Sequence, residues 1–364
     1  RNETHSNGCG PPPFQALRAL PGTGFARGRP TDRPPHPRLP RRGRVPAVTA
    51  GVAGADTPLT RFLAPRYWGL WLGFGILRLV ELLPFRVQWW LARGLGQLLA
   101  VVLADRRRVA ATNLALCFPE ASPAQRARWL QEHFHSLGMA IFDFGLGYWA
   151  PDRRIRRLVH IHGGEHLLAA RAAGKGVILF TGHLPATEMC GRVLQAEFGR
   201  MAGFYRPIKN PLVDEIVRRT RGRITDLLIP KDNLRQLIRT LRQGYAVYFA
   251  PDQSHRRSNS ALLPFFGEPA MTNTALSQVA RLSGAAVVPL FISRRADGRG
   301  YDIEIQPALA DFPGESAEAD TLRVNALLEA HVRQFPAQYY WIHRRFKGRP
   351  PPLPDPYAAD APAR

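Results

Sequence analysis

The clearest chemical potential in the chain lies in Thr181-Gly182-His183-Leu184-Pro185-Ala186-Thr187-Glu188, where a His and a carboxylate are separated by four residues. A His whose one ring nitrogen is held by a carboxylate has its tautomer fixed, which leaves the other nitrogen to take a proton from an attacking hydroxyl. That is base catalysis without a protein nucleophile. The alternative is a surface His beside a helix N-terminus that Glu188 stabilises through the helix dipole. The Gly-x-Ser-x-Gly elbow of a serine hydrolase is missing from the sequence, which counts strongly against that chemistry.

The elements around His183 are those that would present it to a ligand. Residues 177 to 180 form a short apolar run after Gly174-Lys175-Gly176, as expected of a strand buried on both faces of a parallel sheet. Gly182 lets the chain turn, and Pro185 suits the first turn of the helix that follows. His183 is therefore expected at the carboxyl end of a strand, where open α/β sheets bind their ligands. Two further segments deliver polar residues in the same way. A strand starting near Gly203 ends at Arg206-Pro207, and a strand over residues 245–250 delivers Asp252 and Gln253. A helix over about 232–243 precedes the second of these and stops at Gly244.

Farther on, Phe265-Phe266-Gly267 with Met271-Thr272 reads as an apolar loop, followed by a helix over about 273–283 and a strand over 285–292. Residues 301–305 are expected to pair with that strand as the edge of the sheet, and a last helix spans about 319–333. His160 and His162 share one strand face but lack a matching ligand cluster, so they read as structural, with no metal expected.

With 364 residues the chain can hold one large α/β domain with appendages. Its net charge of +22 comes mostly from Arg, a residue suited to planar contacts with phosphate or carboxylate, and it implies an anionic partner. No zinc-finger spacing, RNA-binding sheet signature or lysine-rich tail is present, so no nucleic-acid partner is expected. Cys9, Cys117 and Cys190 are far apart and form neither a CxxC nor a disulfide framework.

Residues 1–56 are rich in Pro, Gly and Arg, lack the apolar core of a signal peptide and read as a disordered extension outside the fold. Residues 57–104 change abruptly to apolar runs with Trp68, Trp71, Trp89 and Trp90, flanked by Arg61, Arg66 and Arg106 to Arg108. This reads as a membrane-anchor segment, with aromatic side chains at the interface and Arg facing anionic headgroups. Arg78, Glu81 and Arg93 interrupt it, so it falls short of the roughly 20 uninterrupted apolar residues of an ordinary span. A single tilted span and a helix lying in the interface both stay open. Arg78 and Glu81 are spaced to pair on one helix face. Residues 105–347 form the main domain, and the Pro-rich stretch 348–364 reads as a disordered tail.

Taken in order, Asn113 to Pro119, His183 to Glu188, Tyr205-Arg206-Pro207 with Asn210-Pro211, Asp252-Gln253, Phe265-Phe266-Gly267 and Gln338 to Lys347 resemble the lysophospholipid acyltransferase superfamily, specifically the bacterial lipid A biosynthesis acyltransferases. The resemblance spans about residues 60–348. It implies an α/β fold with a mostly parallel central sheet flanked by helices and an N-terminal membrane-associated helical segment. It implies an O-acyltransferase with His183 as base and Glu188 orienting it. Arg206, from its place at a strand end, is expected as a third catalytic group that stabilises the oxyanion, with the acceptor's phosphates or a surface salt bridge as its other readings. Tyr205, Asn210, Asp252 and Gln253 would bind substrate. The implied donor is an acyl carrier protein loaded with a fatty acyl chain, and the implied acceptor is a phosphorylated glycolipid, at an anionic membrane and without a cofactor. The implied setting is the bacterial inner membrane, with the catalytic domain on the cytoplasmic side.

Overall fold

The computed structural model describes residues 57–358, except residues 206, 231 and 255–258 and the side chains of residues 223 and 224. The expectations for residues 1–56, for Arg206 and for 359–364 lie outside the described residues. The chain runs through α1 (Trp68–Leu82), α2 (Phe85–Val102), α3 (Ala104–Cys117), α4 (Pro123–Trp149), α5 (Asp152–Leu158), β1 (Val159–His162), α6 (Gly164–Ala172), β2 (Val177–Phe180), α7 (Thr187–Phe198), β3 (Met201–Tyr205) and α8 (Pro211–Ile224). It continues through β4 (Leu227–Pro230), α9 (Leu234–Arg242), β5 (Ala246–Phe249), β6 (Ser260–Phe265), β7 (Glu268–Asn273), α10 (Ala275–Ser283), β8 (Ala286–Arg294), β9 (Tyr301–Ile305) and α11 (Ala317–Gln334).

Seven strands form one sheet in the order β1-β9-β8-β2-β5-β3-β4. The pairings from β8 to β4 are parallel, and β9 runs antiparallel to β8 while pairing in parallel with β1. The strand order moves one way from β2 to β3 and β4 and then back to β5 and β8, so right-handed crossovers put α7 and α8 on one face of this sheet and α9 and α10 on the other. With both faces covered, every residue of β2 is buried, as its unbroken apolar run requires.

The main differences from expectation follow from local chemistry. Residues 301–305 are not the edge, because β1 adds outside them. The stretch expected as an apolar loop is the β6–β7 hairpin, closed by Phe266 and Gly267 at φ 53° and 80°; positive φ at both turn residues matches the twist of the flanking strands. Helix α7 starts at Thr187, so Pro185 precedes it. The stretch 348–358 is tied down rather than loose. The Tyr357 hydroxyl donates to Asn113 Oδ1 at 2.5 Å and accepts from the Phe346 amide at 3.0 Å, and Arg349 reaches Glu268 at 3.1 Å. Proline there stiffens the chain, and one aromatic anchor fixes it.

Helix α4 carries the N-terminal segment on the sheet. Ser122 caps it by accepting from the Gln125 amide, and Pro123 opens its first turn. On one side α4 meets α2 at two glycines, with almost backbone-to-backbone approach. A Cβ on Gly96 would lie 2.4 Å from the Phe134 carbonyl oxygen, and one on Gly138 would lie 2.3 Å from that of Ala92. On the other side Asp143 is fully buried against the sheet, accepting from Arg294 Nε at 3.1 Å and from the Tyr301 hydroxyl. Breaking such a buried pair typically costs about 3–5 kcal/mol. Residues 57–104 are therefore not a detached appendage, since Phe85 and Ala92 belong to the main hydrophobic core.

The outer faces of α1 and α2 are different. Leu72, Leu79, Trp90 and Val101 are each about two-thirds or more exposed, at 66%, 66%, 68% and 73%. Arg78 pairs with Glu81, as its spacing suggested, and Arg154 closes on the same buried carboxylate at 3.3 Å. Among the described residues no single helix is long and apolar enough to cross a membrane; α2 and α3 meet that test only together, across a 97° bend.

Candidate functional site

The site is set by strand register. β2 and β5 are neighbours, with Phe180 paired to Phe249, and His183 and Asp252 each lie three residues past those paired ends. Two chains leaving a parallel sheet side by side bring equivalent positions together. His183 Nδ1 lies 2.6 Å from Asp252 Oδ1, and the His183 backbone amide donates to Asp252 Oδ2 at 3.1 Å. The Tyr339 hydroxyl donates to that same Oδ2 at 2.8 Å, and the Tyr340 amide donates to the His183 carbonyl at 3.1 Å. Asp252 is thus buried but fully engaged, whereas the His183 side chain stays 39% exposed.

Electrostatics follow from this placement. Burial alone would raise Asp252, but the His183 charge, the bonds from its ring and amide, and the Tyr339 hydroxyl bring it down to about 2. Burial likewise disfavours a charged His183, yet the Asp252 charge and hydrogen bond outweigh it and leave the imidazole raised above 6.5. Solvent at the open side of the ring screens part of this pull. Other histidines behave oppositely. Burial takes His133, His331 and His343 each down to about 4, and His343 Nε2 is occupied as acceptor of the Ser254 amide at 3.2 Å. With Nδ1 facing Asp252, His183 Nε2 is the ring nitrogen available to accept a proton.

Glu188 does not supply the carboxylate bonded to His183. It sits in the first turn of α7, and its two oxygens accept from the Tyr148 hydroxyl at 2.8 Å and from Arg221 Nη2 at 2.5 Å. The expected His183–Glu188 pair is replaced by His183–Asp252, because the cross-strand neighbour reaches Nδ1 while the α7 start directs residue 188 toward α4 and α8. What Glu188 does hold is a cation. The Arg221 guanidinium, half-buried, is kept charged by Glu188 beside it despite burial that opposes the charge.

The remaining predicted residues fall into two groups. Tyr205 ends β3, and its hydroxyl donates to both Asp214 oxygens at 2.6 Å. Asn210 caps α8, its Oδ1 accepting from the amides of Leu212 and Val213 at 3.1 and 3.2 Å, so its side chain serves the helix start. Gln253 is half-buried directly after Asp252. Arg206, at the end of β3, is outside the described residues. Cys190 is fully buried, and burial raises its thiol far from the thiolate range, which removes it as a nucleophile.

Sequence reasoning had Asp252 in the crevice but not on the imidazole, and it missed the parts played by Tyr148, Arg221 and Tyr339. The signal for Asp252 was present, since two apolar strands each deliver a polar residue at the same distance past their paired ends, Phe180 and Phe249. For Tyr339, 87 positions from its partner, no local pattern could have shown it.

The comparisons agree with one another. Residues 57–348 match the family described as bacterial lipid A biosynthesis acyltransferase. The chain is 36% identical to the lipid A biosynthesis lauroyltransferase of Escherichia coli (strain K12), over 82% of this chain and 97% of that protein. It is 37% identical to the palmitoleoyltransferase of the same organism, over 79% and 94%, and 29% identical to its myristoyltransferase, over 81% and 92%.

The His183–Asp252 contact can be read in solution without any substrate. In nitrogen-detected NMR the His183 imidazole should titrate above 6.5, and Asp252→Asn should move it to lower pH. Because the folded value is raised, the stabilisation by this charged ring is full below 6.5 and is lost as pH rises through the raised value. An unmoved His183 titration in Asp252→Asn would show that the pair is not electrostatically coupled.

Proposed function

Since this chain belongs to the bacterial lipid A biosynthesis acyltransferases and therefore transfers acyl groups in lipid A biosynthesis, we propose that it moves a fatty acyl chain from acyl carrier protein to a hydroxyl of a phosphorylated lipid A precursor by direct attack, with His183 as base. The observation that carries this is the 2.6 Å contact of Asp252 with His183 Nδ1 at the carboxyl end of the parallel sheet. It fixes the tautomer that leaves Nε2 as acceptor.

In this reading the acceptor hydroxyl attacks the thioester carbonyl as Nε2 takes its proton. The tetrahedral oxyanion then collapses, the C–S bond breaks, and the carrier thiolate leaves as a thiol with the proton from the imidazolium. Asp252 stabilises the imidazolium without taking its proton, as a carboxyl held down to about 2 must. The buried Cys190 supports direct attack over a covalent acyl-enzyme. Arg206, the next residue in sequence after β3, is proposed as the donor to the oxyanion. Glu188 acts at one remove, by holding Arg221 beside the start of α7.

The exposed apolar faces of α1 and α2 support seating on a lipid surface, which in this reading is the cytoplasmic side of the bacterial inner membrane. At 1.5 Å per residue the 15 residues of α1 reach only about 22 Å, short of a hydrocarbon core of roughly 30 Å. Lying in the interface therefore fits better than crossing it.

His183→Ala should cut transfer from acyl carrier protein to a phosphorylated lipid A precursor by about 10²–10⁴-fold, the usual worth of a general base; mass spectrometry of the lipid product checks this, and near wild-type transfer would sink the mechanism. For Arg206→Ala, an oxyanion role predicts a turnover loss of about a hundredfold or more with little change in acceptor KM. The reverse split would assign Arg206 to the acceptor's phosphates. Trp68 and Trp90 fluorescence should be quenched by lipids brominated high on the acyl chain, more than by lipids brominated near its end. Quenching that grows toward the bilayer centre would point to a span.

A further inference from the structure

The segment after α11 returns to the site from the far end of the chain, and two of its residues touch the His183–Asp252 pair. We propose that Tyr339 is a positioning residue for the base: its hydroxyl, donating to Asp252 Oδ2 at 2.8 Å, holds the carboxylate so that Oδ1 faces the imidazole. This rests on the reading of His183 as base and names how that base is kept in place.

The case is geometric. An Asp carboxylate has two rotational freedoms, and at 2% exposure water does little to fix either of them. Here Oδ1 is committed to Nδ1, while Oδ2 receives the His183 backbone amide at 3.1 Å and the Tyr339 hydroxyl at 2.8 Å. The amide belongs to the residue being oriented and moves with it. The phenol comes from a separate element and supplies an outside reference.

That element is itself stiff. Tyr339 is 3% exposed, and its ring meets Trp341 edge-on at 4.8 Å and tilts against Phe265 at 6.0 Å. Trp341, wholly buried, donates from Nε1 to the Pro336 carbonyl at 2.6 Å, and its own carbonyl accepts from Asn113 Nδ2 at 2.6 Å. The neighbouring residue grips the base directly, since the Tyr340 amide donates to the His183 carbonyl at 3.1 Å. Burial and the Asp252 charge keep the phenol protonated, so it acts only as a donor.

Two opposite perturbations test this. Tyr339→Phe removes the donor and keeps the ring. A carboxylate relieved of one donor is more basic and holds the imidazolium more tightly. Turnover should fall about tenfold, the scale of a hydrogen bond to a charged group, with acceptor KM unchanged. The acid limb of kcat/KM and the NMR titration of His183 should both move to higher pH. A protein carrying 3-fluorotyrosine at position 339 has a stronger donor and nearly the same packing, and should move both to lower pH. In an Asp252→Asn background Tyr339→Phe should cost little more.

If neither substitution moves the limb or the titration, or if the Tyr339→Phe and Asp252→Asn losses are fully additive, Tyr339 is only a packing residue and the proposal is overturned. Should Tyr339→Phe not fold, the fluorotyrosine protein decides alone. The base reading fails separately, through an active His183→Ala enzyme, and the His183 titration would still report whether Tyr339 acts through Asp252.

Discussion

A carboxylate taken out of water has to find compensating donors or give up its charge, and in this protein Asp252 finds three at one spot. Its partnership with His183 depends on β2 and β5 running in parallel and in register, Phe180 against Phe249. A slip of one residue would turn each of those short strands over and exchange the side chains packed on its two faces. In β2, buried throughout, each side chain is fitted to close-packed neighbours, so the exchange would leave voids and clashes. The same packing that makes the sheet stable therefore fixes where the imidazole and its carboxylate emerge. The crossovers then place helices on both faces, which leaves the strand ends as the crevice.

The sequence was most legible where one element speaks for itself. Residues 177–180 could be read as a buried strand from an unbroken apolar run, and Ser122-Pro123 as a helix start from capping chemistry. It was least legible where meaning depends on a neighbour distant in the chain. Glu188 looked like the partner of His183 because it is near in sequence, yet its oxygens answer to Tyr148 and Arg221 from two other helices. Residues 265–267 with Met271-Thr272 read as an apolar loop, whereas they belong to a hairpin whose turn holds Phe266 at positive φ, an uncommon backbone for Phe, and takes its ring into the core. The proline-rich stretch after Lys347 looked unanchored until Tyr357 was seen bonded to Asn113.

Helix α4 connects the two characters of the molecule. Toward the sheet it presents Asp143 to Arg294 and Tyr301, a polar lock in a dry interior; toward α2 it presents Gly138, and the contact there is nearly bare backbone. The first fixes position by directed bonds and the second by the absence of side chains. Between them the apolar outer faces of α1 and α2 are held rigidly to the element carrying Tyr148, which in turn bonds Glu188 in the first turn after His183. An apolar surface and the His183 crevice so joined cannot take up independent orientations.

Asn113 donates to the carbonyls of both Trp341 and His343, contacts 228 and 230 residues apart in the chain. Synthesis is directional, so α1 and α2 leave the ribosome long before that closing segment exists. At about 5–20 residues per second the interval is roughly ten seconds to a minute. Through that time the nascent chain shows its greasy helices while the wall behind His183 is still being made. The apolar surface is thus made well before the last wall around His183, an order written into the residues themselves.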